Sequence, residues 1–146
     1  MFKRVLIPTD GSILAMKAAR AGLALAKALG AKVVSCSVVE FLQPVFGPRS
    51  AVSQAMIDEY NARAQALGQK HVDAVGKLAV RLGVHFTSSV SHELPVPEGI
   101  VEVAAKHRCD VIFMATQGRS GLSRIVLGSV TQKVLMLSAL PVVIYR

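Results

Sequence analysis

Between Ala115 and Thr131 the chain reads ATQGRSGLSRIVLGSVT, a stretch that combines glycines, two arginines and a Gly-Ser pair. It follows Val111-Ile112-Phe113-Met114, a short apolar run with the character of a buried strand. It leads into Val130-Thr131-Gln132-Lys133-Val134-Leu135, the first turns of a predicted helix. A strand, a glycine-bearing loop and a helix opening on Gly128-Ser129 make an anion-binding arrangement. Unpaired amides and the positive end of the helix dipole attract a phosphate, and glycine permits close backbone approach. Arg119 and Arg124 lie inside the loop. A phosphate is the first ligand class this pattern suggests.

A second feature is acidic. Asp10 follows the first apolar run, Val5-Leu6-Ile7-Pro8, inside Thr9-Asp10-Gly11-Ser12. Either Asp10 or Ser12 is available as a helix N-cap, and a capping Asp10 could also touch a ligand. Other chemistries lack their patterns. No GxxxxGK[ST] loop occurs, only Gly11 follows the first run where GxGxxG would be needed, and GxSxG is absent. His71, His85, His92 and His107 are scattered and share no ligand spacing with Cys36 or Cys109. The two cysteines lack CxxC spacing and read as free thiols in a reducing compartment.

The elements that position these residues follow from hydrophobic period. Strands are expected at Val5 to Pro8, Lys32 to Val39, Val84 to Ser91, Asp110 to Met114 and Pro141 to Tyr145. Helices are expected from Ile13 to Leu29, with Met16, Ala19, Leu23 and Ala26 inward, and from Gln54 to Leu82. On the second helix Met56, Tyr60, Leu67, His71, Ala74, Leu78 and Leu82 share a face, and Gly68 and Gly76 are expected to weaken or bend it. Gly30 and Gly83 stop these helices. Phe41 to Ser53 is a loop, Leu94 to Pro97 a turn, Glu98 to His107 a short helix with Ile100, Val101 and Ala104 inward, and Gly128 to Ser138 the last helix. The alternation predicts one α/β domain over 1–146. It is a five-stranded, mostly parallel, doubly wound sheet of Rossmann-like type with helices on both faces. Its ligand would sit beyond the C-terminal strand ends, where strand order reverses.

Composition bounds the partners. The 146 residues include 17 Lys and Arg against 9 Asp and Glu, for a formal charge of +8. Such a surface attracts anions. No dense basic run occurs and aromatics make up only 5%, so nucleic-acid binding is not expected. No signal peptide opens the chain and no apolar run approaches the ~20 residues of a membrane span, so a cytoplasmic protein without a membrane partner is expected.

Arg4-Val5-Leu6-Ile7-Pro8-Thr9-Asp10-Gly11-Ser12 at the start, Gly118 followed after nine residues by Gly128-Ser129, and Leu140-Pro141-Val142-Val143-Ile144 at the end resemble the universal stress protein family over nearly the whole length. The family's ATP-binding branch carries G-x2-G-x9-G-[ST]. Here the first glycine is replaced by Ala115. Alanine disfavours positive φ and blocks the closest backbone approach.

The resemblance implies an adenine nucleotide alpha hydrolase-like fold and a stress-response regulator binding ATP or a related adenine nucleotide, with Mg²⁺ in its usual company. It implies no efficient catalysis, at most slow ATP hydrolysis. Pro8, Thr9 and Asp10 would lie at the adenosine end, with Asp10 accepting from ribose hydroxyls. Val38 would offer backbone groups to the adenine edge, and Met114 and Ala115 would line the floor. Gly118, Arg119, Gly128, Ser129 and Val130 would hold the phosphates. A homodimer would form through the last strand, Pro141 to Tyr145. Two alternatives stay open at this stage. Gly118, Gly121 and Gly128 could simply make a turn and a helix start, and the fold could serve as a dimeric interaction scaffold without nucleotide.

Overall fold

Strict alternation of apolar runs and amphipathic stretches calls for strands crossed by helices. The computed structural model, which describes residues 1–44, 51–117 and 127–146, has that order. The elements are β1 (Arg4–Pro8), α1 (Ile13–Leu29), β2 (Lys32–Val38), α2 (Gln54–Leu82), β3 (Phe86–Ser91), α3 (Val96–Lys106), β4 (Val111–Ala115), α4 (Ser129–Leu137) and β5 (Val142–Tyr145). All strand pairs are parallel, in the order β3-β2-β1-β4-β5. The chain winds outward from β1 to β3, then crosses to β4, so the order reverses between β1 and β4.

Strand alternation divides the core. Val5 and Ile7 of β1, with Val111, Phe113 and Ala115 of β4, face α1 and α2. Leu6, with Ile112 and Met114, faces α3 and α4. Both faces are covered, which is why β1 and β4 read as unbroken apolar runs. Small residues let α1 approach. A Cβ added at Gly22 would lie 2.9 Å from Ile7 Cδ1 and 3.0 Å from Phe113 Cδ1. At the lower end Asp110 accepts from the N–H groups of Lys3 (2.7 Å) and Arg4 (3.1 Å), which fixes the start of β1 beside β4.

Several expectations shift. On α2 the buried face is Ile57, Gly68, Val72, Val75 and Ala79, rotated from the expected stripe. Met56 and Tyr60 of that stripe are 56% and 47% exposed. Gly68 and Gly76 do not loosen this helix but seat it. A Cβ at Gly68 would meet Val39 Cγ1 at 2.8 Å, and one at Gly76 would meet Phe86 Cε1 at 2.9 Å.

The α3 helix begins at Val96, inside the expected turn, because Pro97 suits the first turn, where no amide is needed. Glu98 occupies the third position, from which a glutamate ordinarily reaches back to the N-cap amide. The N-cap is Pro95, which has none, and Glu98 Oε2 is buried without a hydrogen-bond partner. On α3 Val103 is buried where Val101 was expected. The third strand starts at Phe86, since Val84 is drawn into the end of α2 by donating its N–H to Ala79 O at 3.0 Å.

Charge is unevenly placed. Lys17, Arg20 and Lys27 are exposed on α1, which has no acid. The α2 helix carries Arg63, Lys70, Lys77 and Arg81 against Asp58, Glu59 and Asp73. On the other face, Glu98 and Glu102 offset Lys106 and Lys133.

Candidate functional site

The first wall is the turn after β1. Thr9 N–H donates to Cys36 O at 2.8 Å, the last link to β2. The buried Thr9 hydroxyl oxygen accepts from Gly11 N–H at 3.1 Å, and Asp10 Oδ1 accepts from Ser12 N–H at 2.9 Å. Gly11 has φ +76°, a conformation that glycine adopts without strain. Ser12 is the N-cap of α1, its Oγ accepting from Ala15 N–H at 3.2 Å. Asp10 is thereby left out of the cap and stands half-buried just past the end of β1, beside the half-buried Pro8.

The β2 strand outruns β1. Their register pairs Pro8 with Cys36, and β2 continues to Val38. Cys36 turns its carbonyl to β1, while Val39 N–H turns the other way and donates to Ser91 O at 2.8 Å. Backbone groups alternate sides with period two. Val38 therefore turns its N–H and C=O toward the β1 side, past the end of β1. Its side chain is occupied elsewhere, against α3, where a Cβ at Gly99 would meet Val38 Cγ1 at 2.8 Å.

The second wall joins β4 to α4. Met114 and Ala115 are buried with side chains in opposite core layers, so they offer backbone rather than side chain to the gap above. Ala115 lies in the β4–β5 ladder opposite Tyr145, and among the described residues Arg108 alone is a non-glycine with positive φ. The expected conformational cost of alanine at this position is therefore absent.

Gly128 is the N-cap of α4, and its N–H donates to Thr116 O at 2.8 Å. A Cβ there would lie 3.1 Å from that same oxygen. The buried Thr131 hydroxyl donates to Ala115 O at 3.1 Å and lies 3.2 Å from Thr116 O. These bonds hold the start of α4 against the end of β4. Among the described residues no side chain caps α4, whereas Ser12 and Ser53 cap α1 and α2. Its first-turn amides keep their donor capacity and the positive dipole end. Ser129 is exposed and Val130 half-buried.

Since β1 and β4 are neighbours (Val5 opposite Val111, Leu6 opposite Ile112), the Thr9-Asp10 turn and the Gly128-to-Val130 start flank one gap. Gly118 and Arg119, with Gly121 and Arg124, lie outside the described residues.

Two residues near this gap are not evident from sequence motifs. Thr131 is one, signalled only by a hydroxyl in the first turn of a helix that opens on Gly-Ser. His71 is the other, read from sequence as part of a core stripe and found half-buried against Gly11.

No cluster of three or more His, Cys, Asp or Glu that could hold a metal occurs among the described residues. Cys36 and Cys109 are free and buried. Burial pushes the Cys36 thiol well above its ordinary value, with Cys109 adding to it. Burial likewise raises Cys109 to about 11, with Arg4 lowering and Asp110 raising it.

The sequence matches the universal stress protein family over residues 1–146. It is 34% identical over 146 residues to universal stress protein MJ0531 of Methanocaldococcus jannaschii, covering 100% of this chain and 83% of that one. Among solved structures, hypothetical protein MJ0577 superposes with a TM-score of 0.76 at 26% identity, covering 99% of this chain and 95% of that one. A universal stress protein in complex with cAMP has a TM-score of 0.69 at 23% identity, with 99% and 97% coverage. One from Archaeoglobus fulgidus in complex with dAMP has a TM-score of 0.63 at 18% identity, with 100% and 98% coverage.

Proposed function

The chain belongs to the universal stress protein family, and we propose that it serves there as a binding and regulatory protein for an adenine nucleotide, ATP or a close relative. One observation carries the reading. The uncapped start of α4 is fastened to the end of β4 by Gly128 N–H and the Thr131 hydroxyl, directly across the strand-order reversal from Asp10. An anion-binding helix end facing a carboxylate past the neighbouring strand suits a ligand with phosphates at one end and hydroxyls at the other. Neighbours of the same fold that hold cAMP and dAMP support an adenine nucleotide.

In this reading Asp10 accepts from ribose hydroxyls, with Pro8 and Thr9 beside it, and Val38 meets the adenine edge with backbone groups. Met114 and Ala115 form the floor. The amides of Ser129 and Val130, with Gly128, Gly118 and Arg119, hold the phosphates. Mg²⁺ would accompany ATP on the phosphate oxygens. Turnover in this reading is slow at most, and the protein acts by binding.

The same reading takes 1–146 as one domain in the cytoplasm, paired as a homodimer through β5. No helix among the described residues is long and apolar enough to cross a membrane. Exposed Leu135, Met136 and Leu137 lie at the end of α4, just before β5, which supports the pairing and also the alternative of a nucleotide-free dimeric scaffold.

Calorimetric titration with ATP and Mg²⁺ tests the proposal. Binding is expected in the micromolar to millimolar range, and T131V should weaken it about fivefold or more by unfastening α4. No heat at millimolar ATP would reject nucleotide binding and leave the scaffold.

A further inference from the structure

The turn that carries Asp10 is braced from outside by a residue of α2. A Cβ placed on Gly11 would lie 2.3 Å from His71 Cδ2, 2.5 Å from Nε2 and 3.0 Å from Cγ. Real Cβ contacts are never so short, so the edge of the imidazole rests on the glycine itself. Gly11 is therefore required twice, by its φ of +76° and by the ring that covers it. The two hydrogen bonds that shape this turn, Gly11 N–H to Thr9 and Ser12 N–H to Asp10, involve Gly11 and its next neighbour.

Asp10 is the charged group on the turn that His71 covers. The first turn of α1 has no acid, and Lys17 beyond it is exposed. On α2 the positions one turn away, Leu67, Gly68, Ala74 and Val75, carry no charge, and Lys70 faces solvent.

We propose that His71 is a positioning residue of the ligand crevice, bracing the Asp10 turn with its imidazole, and that its protonation strengthens the binding of anionic nucleotide. The proposal rests on the nucleotide reading above. A histidine changes charge near neutral pH, and one added positive charge beside the crevice attracts an anionic ligand, an effect on the order of severalfold in affinity. Acidification from pH 8 to pH 5.5 should therefore tighten binding, and the step should belong to His71.

Three measurements test this. In the ligand-free protein, the Gly11 and Ser12 amide NMR signals should titrate with the same midpoint as the His71 ring, and the step should vanish in H71Q. Amides that stay still through the His71 titration overturn the brace. Thermal melts of G11A, H71A and the double variant should be non-additive, because removing the ring relieves the clash and leaves only the φ strain; strict additivity overturns the contact.

Calorimetry with ATP and Mg²⁺ between pH 5.5 and 8 should show the wild type gaining about fivefold more affinity on acidification than H71Q, the protonation of ATP itself being common to both. Identical pH profiles overturn the linkage. If ATP fails to bind while the first two measurements succeed, the nucleotide reading falls and the brace stands.

Discussion

A single methyl group, that of Ala115, stands where the first glycine of a G-x2-G-x9-G-[ST] pattern would be. Its surroundings make it less disruptive than the residue type suggests. The backbone at Ala115 is an extended strand, and the methyl is buried in the core layer beneath α1. A115G is therefore expected to leave ATP affinity within about threefold. It should lower stability by about 1–2 kcal/mol, through lost burial and added chain entropy. Calorimetry and urea unfolding check the two halves, and a tenfold gain in affinity would mean that the methyl obstructs the ligand after all.

The thiols give a second residue-scale expectation. In the folded chain both are held neutral by burial, Cys109 up to about 11, whereas in the unfolded chain a thiol loses its proton near its ordinary 9.0. Above pH 9 the unfolded state thus binds fewer protons. The stabilisation is fully present below that pH and is lost as pH rises toward 11, by about tenfold in the folding constant per pH unit and thiol. Denaturant melts from pH 8 to 10.5 should fall with a steeper slope than those of the C36A/C109A variant. Native protein should react slowly with thiol reagents at pH 8.

At the scale of elements, helix ends explain most boundaries. The α1 and α2 helices begin at serine caps and stop at Gly30 and Gly83, which take left-handed conformations. The α3 helix ends differently, with Arg108 at φ +52° where a glycine would be unstrained. R108G should raise stability by up to about 1 kcal/mol, read as a higher urea midpoint with an unchanged slope. A lower midpoint would mean that the Arg108 side chain makes interactions worth more than the strain. Along α2, Gly68 and Gly76 act as seats for Val39, Val90 and Phe86. They bring a 29-residue helix close to the edge strand β3 and carry His71 to the β1–α1 turn.

The whole molecule shows two asymmetries. Its sheet edges differ. The β3 strand lies under α2, while β5 is the other edge, close to exposed Leu135, Met136 and Leu137, with Met136 84% exposed. An unpaired apolar edge favours association. Light scattering at micromolar concentration is expected to give twice the 15.5 kDa chain mass, and I144K should shift it to the monomer. A monomer mass for the wild type would count against pairing through β5. The charge of +8 is also uneven, since α1 has cations and no acid while α3 and α4 are balanced. Positive charge on the face of α1 and α2 adds long-range attraction for anionic ligands, and it weakens as salt is raised.

The order of the nine described elements, the parallel sheet and the placing of an acidic turn beside a Gly-Ser helix start were legible in the sequence. Each depends on local periods, caps and breakers that act within a few residues. Apolar runs at β1 and β4, with Gly and Ser after them, were enough to bring the Asp10 turn and the start of α4 to the strand-order reversal. Residues that meet across the chain were not legible. The rotation of α2 was misread because its long apolar stripe ignores which side the sheet occupies, and glycine at two positions decides that side by close approach. Thr131 and His71 joined the site only through folding. A hydroxyl 16 residues beyond Ala115 and an imidazole 60 residues beyond Gly11 gain their roles from contacts that no local pattern encodes.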